Sequence, residues 1–499
     1  LSSFDFLASL PSIAPELGLT LLAIVILFLD VSLPAPRRRN IAWVTVVGTA
    51  LLALTPLVWG PPAEAGSQLV WGGMLRHDTL AQIFKVMILL AAALTALMSG
   101  VTRSHGRQGE FYLILVVATL GACLVSAAAD LIMLFLGLET LSIPLYILAA
   151  FRRDDPRSAE SGMKYFLFGA FASALMLFGL SLLYGFTGHT SLYVLAELLP
   201  AASGNAALPV LAALVLVVVG FGFKIGAAPF HFWAPDMYEG APTPVTAFVS
   251  VASKAASFAL LLRFLIAVFP QSLVIGGHEI QAFWVALVAF MAVVSMTLGN
   301  VLALSQRNIK RLLAYSSIAQ AGYALIGVAA IQSQTEQGVA AVGFYLFMYT
   351  FTNLLAFAVV VFVSEATGSE SIAGLAALNR RNPWLALMMT IALLSLGGIP
   401  PTAGFFGKFF LFNAAVQADL TWLAIVGVLN AIVALYYYLM VIKVMYVDRA
   451  PDPDGELPVP LSRASGWALA VPGLVVLLLG TVAAQPVFEW AVRGAFALF

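Results

Sequence analysis

Apolar runs of about twenty residues follow one another along nearly the whole chain, separated by short polar connections. The hydrocarbon core of a bilayer takes about 20 residues of helix to cross. Fourteen runs of that size can be read, near 14–33, 41–59, 79–101, 111–128, 130–150, 160–185, 208–233, 241–269, 281–304, 309–331, 337–364, 383–415, 420–447 and 465–490. In lipid every backbone polar group must find a partner inside the protein, which leaves helices as the form for such runs. The expected fold is therefore an all-α integral membrane protein with fourteen transmembrane helices. Composition agrees: 62% of the 499 residues are hydrophobic and 10% are charged, where a soluble domain carries roughly 25% charge.

Several function classes fall away at once. The formal net charge is zero, so nothing draws the chain to nucleic acid. The single cysteine, Cys123, cannot form an intramolecular disulfide or supply a thiolate-ligated iron–sulfur or zinc cluster. The histidines (His77, His105, His189, His231 and His278) show no metal-ligand spacing. No basic stretch precedes the first apolar run, so that run reads as a first span and not as a cleaved signal.

Arginine and lysine in the loops set the expected orientation. Alternate loops carry Arg37, Arg38 and Arg39; Arg103 and Arg107; Arg152, Arg153 and Arg157; Arg307, Lys310 and Arg311; Arg380 and Arg381; and Arg449 and Arg463. The opposite side has little beyond Arg76 and Arg493. This bias places both termini outside, periplasmic in a bacterium. The basic-side loop 234–240 is an exception, with Asp236 and Glu239.

Two spans carry helix breakers. The seventh contains Lys224-Ile-Gly-Ala-Ala-Pro229-Phe-His231, and the twelfth contains Gly397-Gly398-Ile399-Pro400-Pro401-Thr402-Ala403-Gly404 before Lys408. Proline removes a donor and clashes with the preceding turn. Interrupted helices in corresponding positions of two halves suggest inverted repeats with ion sites at the breaks. The expected layout is one polytopic membrane domain: spans 1–3 in residues 1–110, a first five-helix repeat (spans 4–8) in 111–269, a second (spans 9–13) in 281–447, and a loop with span 14 in 448–499. Lys224 precedes its proline and Lys408 follows its pair, so the repeat is architectural more than literal.

A charge at a helix centre in a membrane costs about 2.5–3.5 kcal/mol on insertion scales. Such residues are functional candidates by default. Glu139 is the one acid expected at mid-depth. Lys224, Lys254 and Lys408 are too deep to reach the interface. Lys164 lies at a depth similar to Glu139 on the adjacent helix, where an ion pair between them is expected. His231 follows Lys224 by two turns and is a candidate relay. Lys85, Lys443 and Arg263 are expected to snorkel to the interface. Desolvation disfavours a charged lysine, and a nearby carboxylate favours it. A lysine can thus change charge state when a neighbouring charge moves, whereas arginine stays protonated. Ser142, Ser173, Thr243, Ser253, Ser316, Ser317, Gln320, Tyr349, Asn353 and Asn413 are expected to line a polar axis between these sites.

This pattern resembles the antiporter-like subunits of respiratory complex I, which are related to subunits of multi-subunit cation/proton antiporters. The resemblance covers essentially the whole chain. It is carried by Gln306 to Tyr323 (QRNIKRLLAYSSIAQAGY), by Lys224 to Val245 (KIGAAPFHFWAPDMYEGAPTPV), and by Gly398 to Lys408 (GIPPTAGFFGK). Lysine at 408, and an end soon after the fourteenth span, are similar to the subunit N type in bacterial NADH–quinone oxidoreductase. The resemblance implies proton translocation, with Glu139 and Lys164 as a charge pair acting on Lys224. Protons would pass Lys254 and His231 and leave near Lys408. It implies no cofactor in this chain, with FMN, iron–sulfur clusters and quinone in partner subunits. The implied partners are other complex I membrane subunits, including antiporter-like neighbours, and the bilayer of a bacterial inner membrane. Two other readings stay open: a subunit of a cation/proton antiporter, and a mainly structural membrane spacer.

Overall fold

A computed structural model describes residues 9–61, 67–102, 108–202, 206–331, 336–449 and 458–498. Arg103, His105 and Arg107 lie outside them. The described chain is helical but for two short antiparallel hairpins. In one, β1 (Ser67–Val70) pairs with β2 (Leu75–Asp78); in the other, β3 (Val274–Ile275) pairs with β4 (His278–Glu279).

The main helices are α1 (Ala14–Ser32), α2 (Asn40–Leu52), α3 (Thr79–Ser99), α4 (Gly109–Ala127), α5 (Leu131–Ala149), α6 (Pro156–Thr187) and α7 (Ala207–Ile225). A short α8 (Trp233–Gly240) leads to α9 (Thr243–Val268). Then come α10 (Ile280–Ala303), α11 (Ile309–Ala329), α12 (Gln337–Thr367), α13 (Pro383–Gly397), α14 (Ala403–Gln417), α15 (Thr421–Tyr446), α16 (Arg463–Leu479) and α17 (Ala484–Phe496).

Among the described residues twelve helices are long and apolar enough to cross a membrane, or thirteen if α16 and α17, bent by 85°, make one span. The fourteen-span expectation is therefore met only in its coarser form. The shortfall falls on the run 383–415 and, unless α16 and α17 count as one, on 465–490. The former run is divided into α13 and α14, fifteen residues each, and a helix of that length reaches only about 22 Å. Gly398 ends α13 in the left-handed region at φ 84°, a conformation glycine adopts without a Cβ clash. Gly226 ends α7 in the same way at φ 68°.

Helices α3, α9, α11 and α12 form the buried centre, while α1, α2, α6 and α15 bury about a third of their apolar windows or less. Their outer faces carry Phe28, Phe171 and Ile432, each more than 60% exposed. Contiguous apolar surface of this kind needs lipid or protein against it. Within α9 the segment Val249–Ser253 is wound as a π-helix, and Lys254 follows it directly. Such single wide turns recur at functional positions in helices.

Candidate functional site

The deep cations fall into two groups according to what faces them. Lys224, Lys254 and Lys408 are each at most 5% exposed, and among the described residues no carboxylate pairs with any of them. Every other buried basic side chain of the membrane helices discussed below has an acid beside it.

Lys224 sits in the last turn of α7, just before the Gly226 cap. A cation there is favoured by the negative end of the helix dipole. Its Nζ donates to the Ser142 hydroxyl and lies 3.5 Å from the Tyr146 hydroxyl. Ser142 and Tyr146 belong to α5, three and seven residues beyond Glu139, so all three lie along one face. The Glu139 carboxylate, half-buried, accepts from the Ser173 hydroxyl of α6 at 2.7 Å. Glu139 thus stands one turn from the Lys224 partner and within electrostatic reach of the ammonium, without bonding to it.

Lys408 is bound at the other break. Its Nζ donates to the carbonyls of Leu396 and Gly397, at 3.0 and 3.1 Å. These are among the last carbonyls of α13, which have no partner within the helix. The Tyr323 ring lies 4.6 Å away. Lys254 projects from α9 to α11, where it donates to the Ser317 carbonyl and hydroxyl, both at 2.6 Å.

Between Lys254 and Lys408 runs a band of polar side chains on α11 and α12. The Tyr349 hydroxyl donates to Ser317 at 3.0 Å, and Tyr238 meets the same oxygen at 3.1 Å. One turn along, Gln320 accepts from Tyr345 and donates to the Leu396 carbonyl at 3.1 Å, the carbonyl that Lys408 also uses. Tyr438 bonds both Gln320 and Ser316, at 3.2 and 2.6 Å. Asn353 donates to Ser250 at 2.6 Å. Asn413 departs from the expected axis and is exposed on the outer face of α14. The tyrosines at 146, 238, 345 and 438 were missing from the residues expected there. A helical repeat counted from Glu139 would have found Tyr146; the others are brought in by tertiary packing.

Lys164 lies apart. Its Nζ is 2.7 Å from both Glu160 and Asp236, and no ion pair with Glu139 is formed. Asp236 is reached by Arg311 at 2.7 Å, and Arg311 also contacts Glu239 at 3.0 Å. The acids of loop 234–240, out of place among basic loops, are thus the counter-ions of Lys164 and Arg311. Partial burial opposes ionisation of Asp236, but the hydrogen bonds from Lys164 and Arg311 hold its carboxyl below the usual range. His231 is buried, with Nδ1 lacking a hydrogen-bond partner, and stacks on Phe232. Because α7 stops at Ile225, the two-turn relation to Lys224 expected for an unbroken helix does not exist.

Three sequence expectations are corrected. Lys85 does not snorkel: it is buried and ion-paired with Glu16 of α1 at 2.7 Å. Arg263 does not reach the interface either. It is fully buried and forks onto Asp78, with Nη1 at 2.6 Å and Nη2 at 3.0 Å, while Tyr193 lies 3.1 Å from Nη1. Lys310, counted with the loops, is buried and bonded to Glu370 at 3.0 Å and to the Ala241 carbonyl at 2.9 Å. In each case a carboxylate distant in sequence supplies what water would otherwise supply. Lys443 behaves as expected, half-exposed and 3.1 Å from Asp448.

Comparison with known proteins places this arrangement. The family described as "NADH:quinone oxidoreductase/Mrp antiporter, TM" matches residues 128–434, the stretch holding all three unpaired lysines. NADH-quinone oxidoreductase subunit N of Trichlorobacter lovleyi is 43% identical over 486 residues, covering 95% of this chain and 96% of that protein. The protein of the same name from Moorella thermoacetica is 41% identical, covering 99% and 100%. A chain of respiratory complex I from Thermus thermophilus with bound aureothin superposes with a TM-score of 0.75 at 32% identity, over 95% of this chain and 98% of that one. A chain of the Mrp complex from Dietzia sp. shares the fold, with a TM-score of 0.79 at 21% identity over 98% of each chain. The chain belongs to the NADH:quinone oxidoreductase/Mrp antiporter membrane-subunit family, and its relatives from Trichlorobacter lovleyi and Moorella thermoacetica bear the name NADH-quinone oxidoreductase subunit N.

Proposed function

We propose that the chain is the proton-translocating subunit of a bacterial NADH–quinone oxidoreductase, moving protons through buried side chains while the redox chemistry takes place in other subunits. The observation that carries this reading is the sorting of the cations. Lys85, Arg263 and Lys310, all buried, each have a carboxylate, as a structural charge in low dielectric requires. Lys224, Lys254 and Lys408 have only hydroxyls, carbonyls and rings. An ammonium without a fixed counter-ion can have its charge state set by a charge that moves.

Glu139 is the charge placed to do this for Lys224. Ser142 stands between them in register on α5, and Ser173 can release the carboxylate. Lys254 hands over to the band at Ser317, and Gln320 shares a carbonyl with Lys408. His231 lies near the first break as a candidate relay. Lys164 acts from the side, through Asp236, on α8. In this reading α13 and α14 make one broken crossing, giving fourteen spans that include two inverted five-helix repeats, spans 4–8 and 9–13. FMN, iron–sulfur clusters and quinone lie in partner subunits. Both termini face the periplasm, opposite the arginine-rich ends.

The test is proton pumping by the assembled complex in vesicles. Lys224→Ala and Glu139→Ala are expected to suppress pumping while the complex still assembles. Full coupled pumping in both would sink the assignment.

A further inference from the structure

The arginine-rich end of the molecule carries a charge cluster that the proton route does not use. Arg152 and Arg157, around the turn between α5 and α6, face Arg307, which precedes α11, across a cavity of about 760 Å³. The cavity lies where the first repeat meets the second. Its far wall is the Ser369–Ser371 segment, fixed by Ile309 N donating to the Glu370 carbonyl at 2.9 Å and Ile372 N to the Arg307 carbonyl at 2.8 Å.

The surrounding acids do not neutralise these arginines. Glu370 is engaged by Lys310. Arg157 makes one long contact with Asp155, at 3.7 Å. The guanidinium groups of Arg152 and Arg307 make no ion pair among the described residues. Nε of Arg152 is buried without a hydrogen-bond partner, and a buried donor of this kind is rare unless something occupies the site. Arg152 and Arg157 also repel the Lys310 ammonium. Three arginines thus line one cavity, and Glu370 on its wall is already held by Lys310.

We propose that this cavity binds the phosphate group of an anionic ligand, held by Arg152, Arg157 and Arg307 with the Ser369 and Ser371 hydroxyls. The guanidinium fork matches phosphate oxygens two at a time, and three arginines on two loops enclose a tetrahedral anion better than a planar carboxylate. Arg152 lines a second, mostly apolar cavity of about 1170 Å³ as well, which passes Ile147, Ile143 and Phe166. Descending α5 from Ala150 to Ile143 covers about 10 Å, enough for part of an acyl chain. The phosphate can therefore come from a phospholipid headgroup or from free phosphate.

Two measurements on the assembled complex separate these sources. In the first, a photoactivatable phosphatidylglycerol is cross-linked and its attachment mapped on this chain, with unlabelled phosphatidylglycerol or phosphate-free diacylglycerol as competitor. Label near 307–309 and 369–371, displaced by the former alone and reduced about tenfold in R152Q and R307Q, identifies a headgroup site. In the second, equilibrium binding of radiolabelled orthophosphate is compared in wild type, R152Q and R307Q. Variant-sensitive binding without lipid label identifies free phosphate. If neither ligand binds in an arginine-dependent way, the proposal is overturned. Should an arginine variant fail to assemble, competition in the wild-type complex decides: label displaced equally by diacylglycerol, with no saturable orthophosphate binding, overturns it.

Discussion

The Lys254 ammonium lies 2.6 Å from both the carbonyl and the hydroxyl of Ser317, tying α9 to α11 through a cation that has no acid beside it. Removing an unpaired buried charge costs a protein little, because an apolar side chain of similar volume avoids the desolvation penalty. Lys254→Met is therefore expected to leave assembly and thermal stability unchanged or slightly raised, and to abolish proton pumping. Pumping in vesicles measured beside thermal unfolding checks both halves. A variant that unfolds and pumps in proportion would mark Lys254 as structural.

The pair Arg263–Asp78 predicts the opposite pattern. Both side chains are fully buried and bonded twice. Deleting Asp78 strands the buried Arg263 guanidinium, which typically costs about 3–5 kcal/mol, whereas deleting Arg263 leaves Asp78 with Arg76 at 3.4 Å. Asp78→Ala is expected to reduce the amount of assembled complex severely, and Arg263→Ala to reduce it less. Whatever complex survives should pump normally per assembled molecule.

Lys85 and Glu16 allow a cleaner test of the same physics. Lys85→Met alone leaves a buried carboxylate that has no hydrogen-bond donor besides the lost ammonium. The double variant Glu16→Leu, Lys85→Met removes both charges. Stability should fall in the single variant by about 3 kcal/mol or more and return to near wild type in the double. A double variant as unstable as the single would mean that the helices α1 and α3 depend on the ion pair itself.

Asp236 carries a pH dependence with a definite sign. Its folded carboxyl lies below the usual range, so it binds fewer protons when folded than when unfolded. Its contribution is fully present above an ordinary aspartate pKa, about 3.9, and is lost as pH falls through the depressed folded value. The stability gap between wild type and Asp236→Asn should hold constant from pH 8 to 5 and shrink below about pH 4. Thermal unfolding of the complex across that range reads it. A gap that closes between pH 7 and 6 would point to a histidine instead.

The sequence by itself determined the solvent, the class of fold and the depth of the candidate residues. Apolar runs near twenty residues long can be satisfied only as helices in lipid, and Lys224, Lys254 and Lys408 lie too far inside theirs for the side chain to reach water. It also located both breaks, since glycine and proline act on the backbone where they stand: Gly226 and Gly398 each end a helix. Partnership was a different matter. Lys85 and Arg263 look in sequence much like Lys224, and what separates them is Glu16 and Asp78, 69 and 185 residues away in the chain. The same holds for Lys164, whose acid is Asp236 and not Glu139. Which buried charge is neutralised depends on which helices pack together, and a one-dimensional pattern carries the depth of a side chain but not its neighbour across a helix interface. Only the tertiary structure could divide these cations into those with a carboxylate beside them and those held by hydroxyls and carbonyls alone.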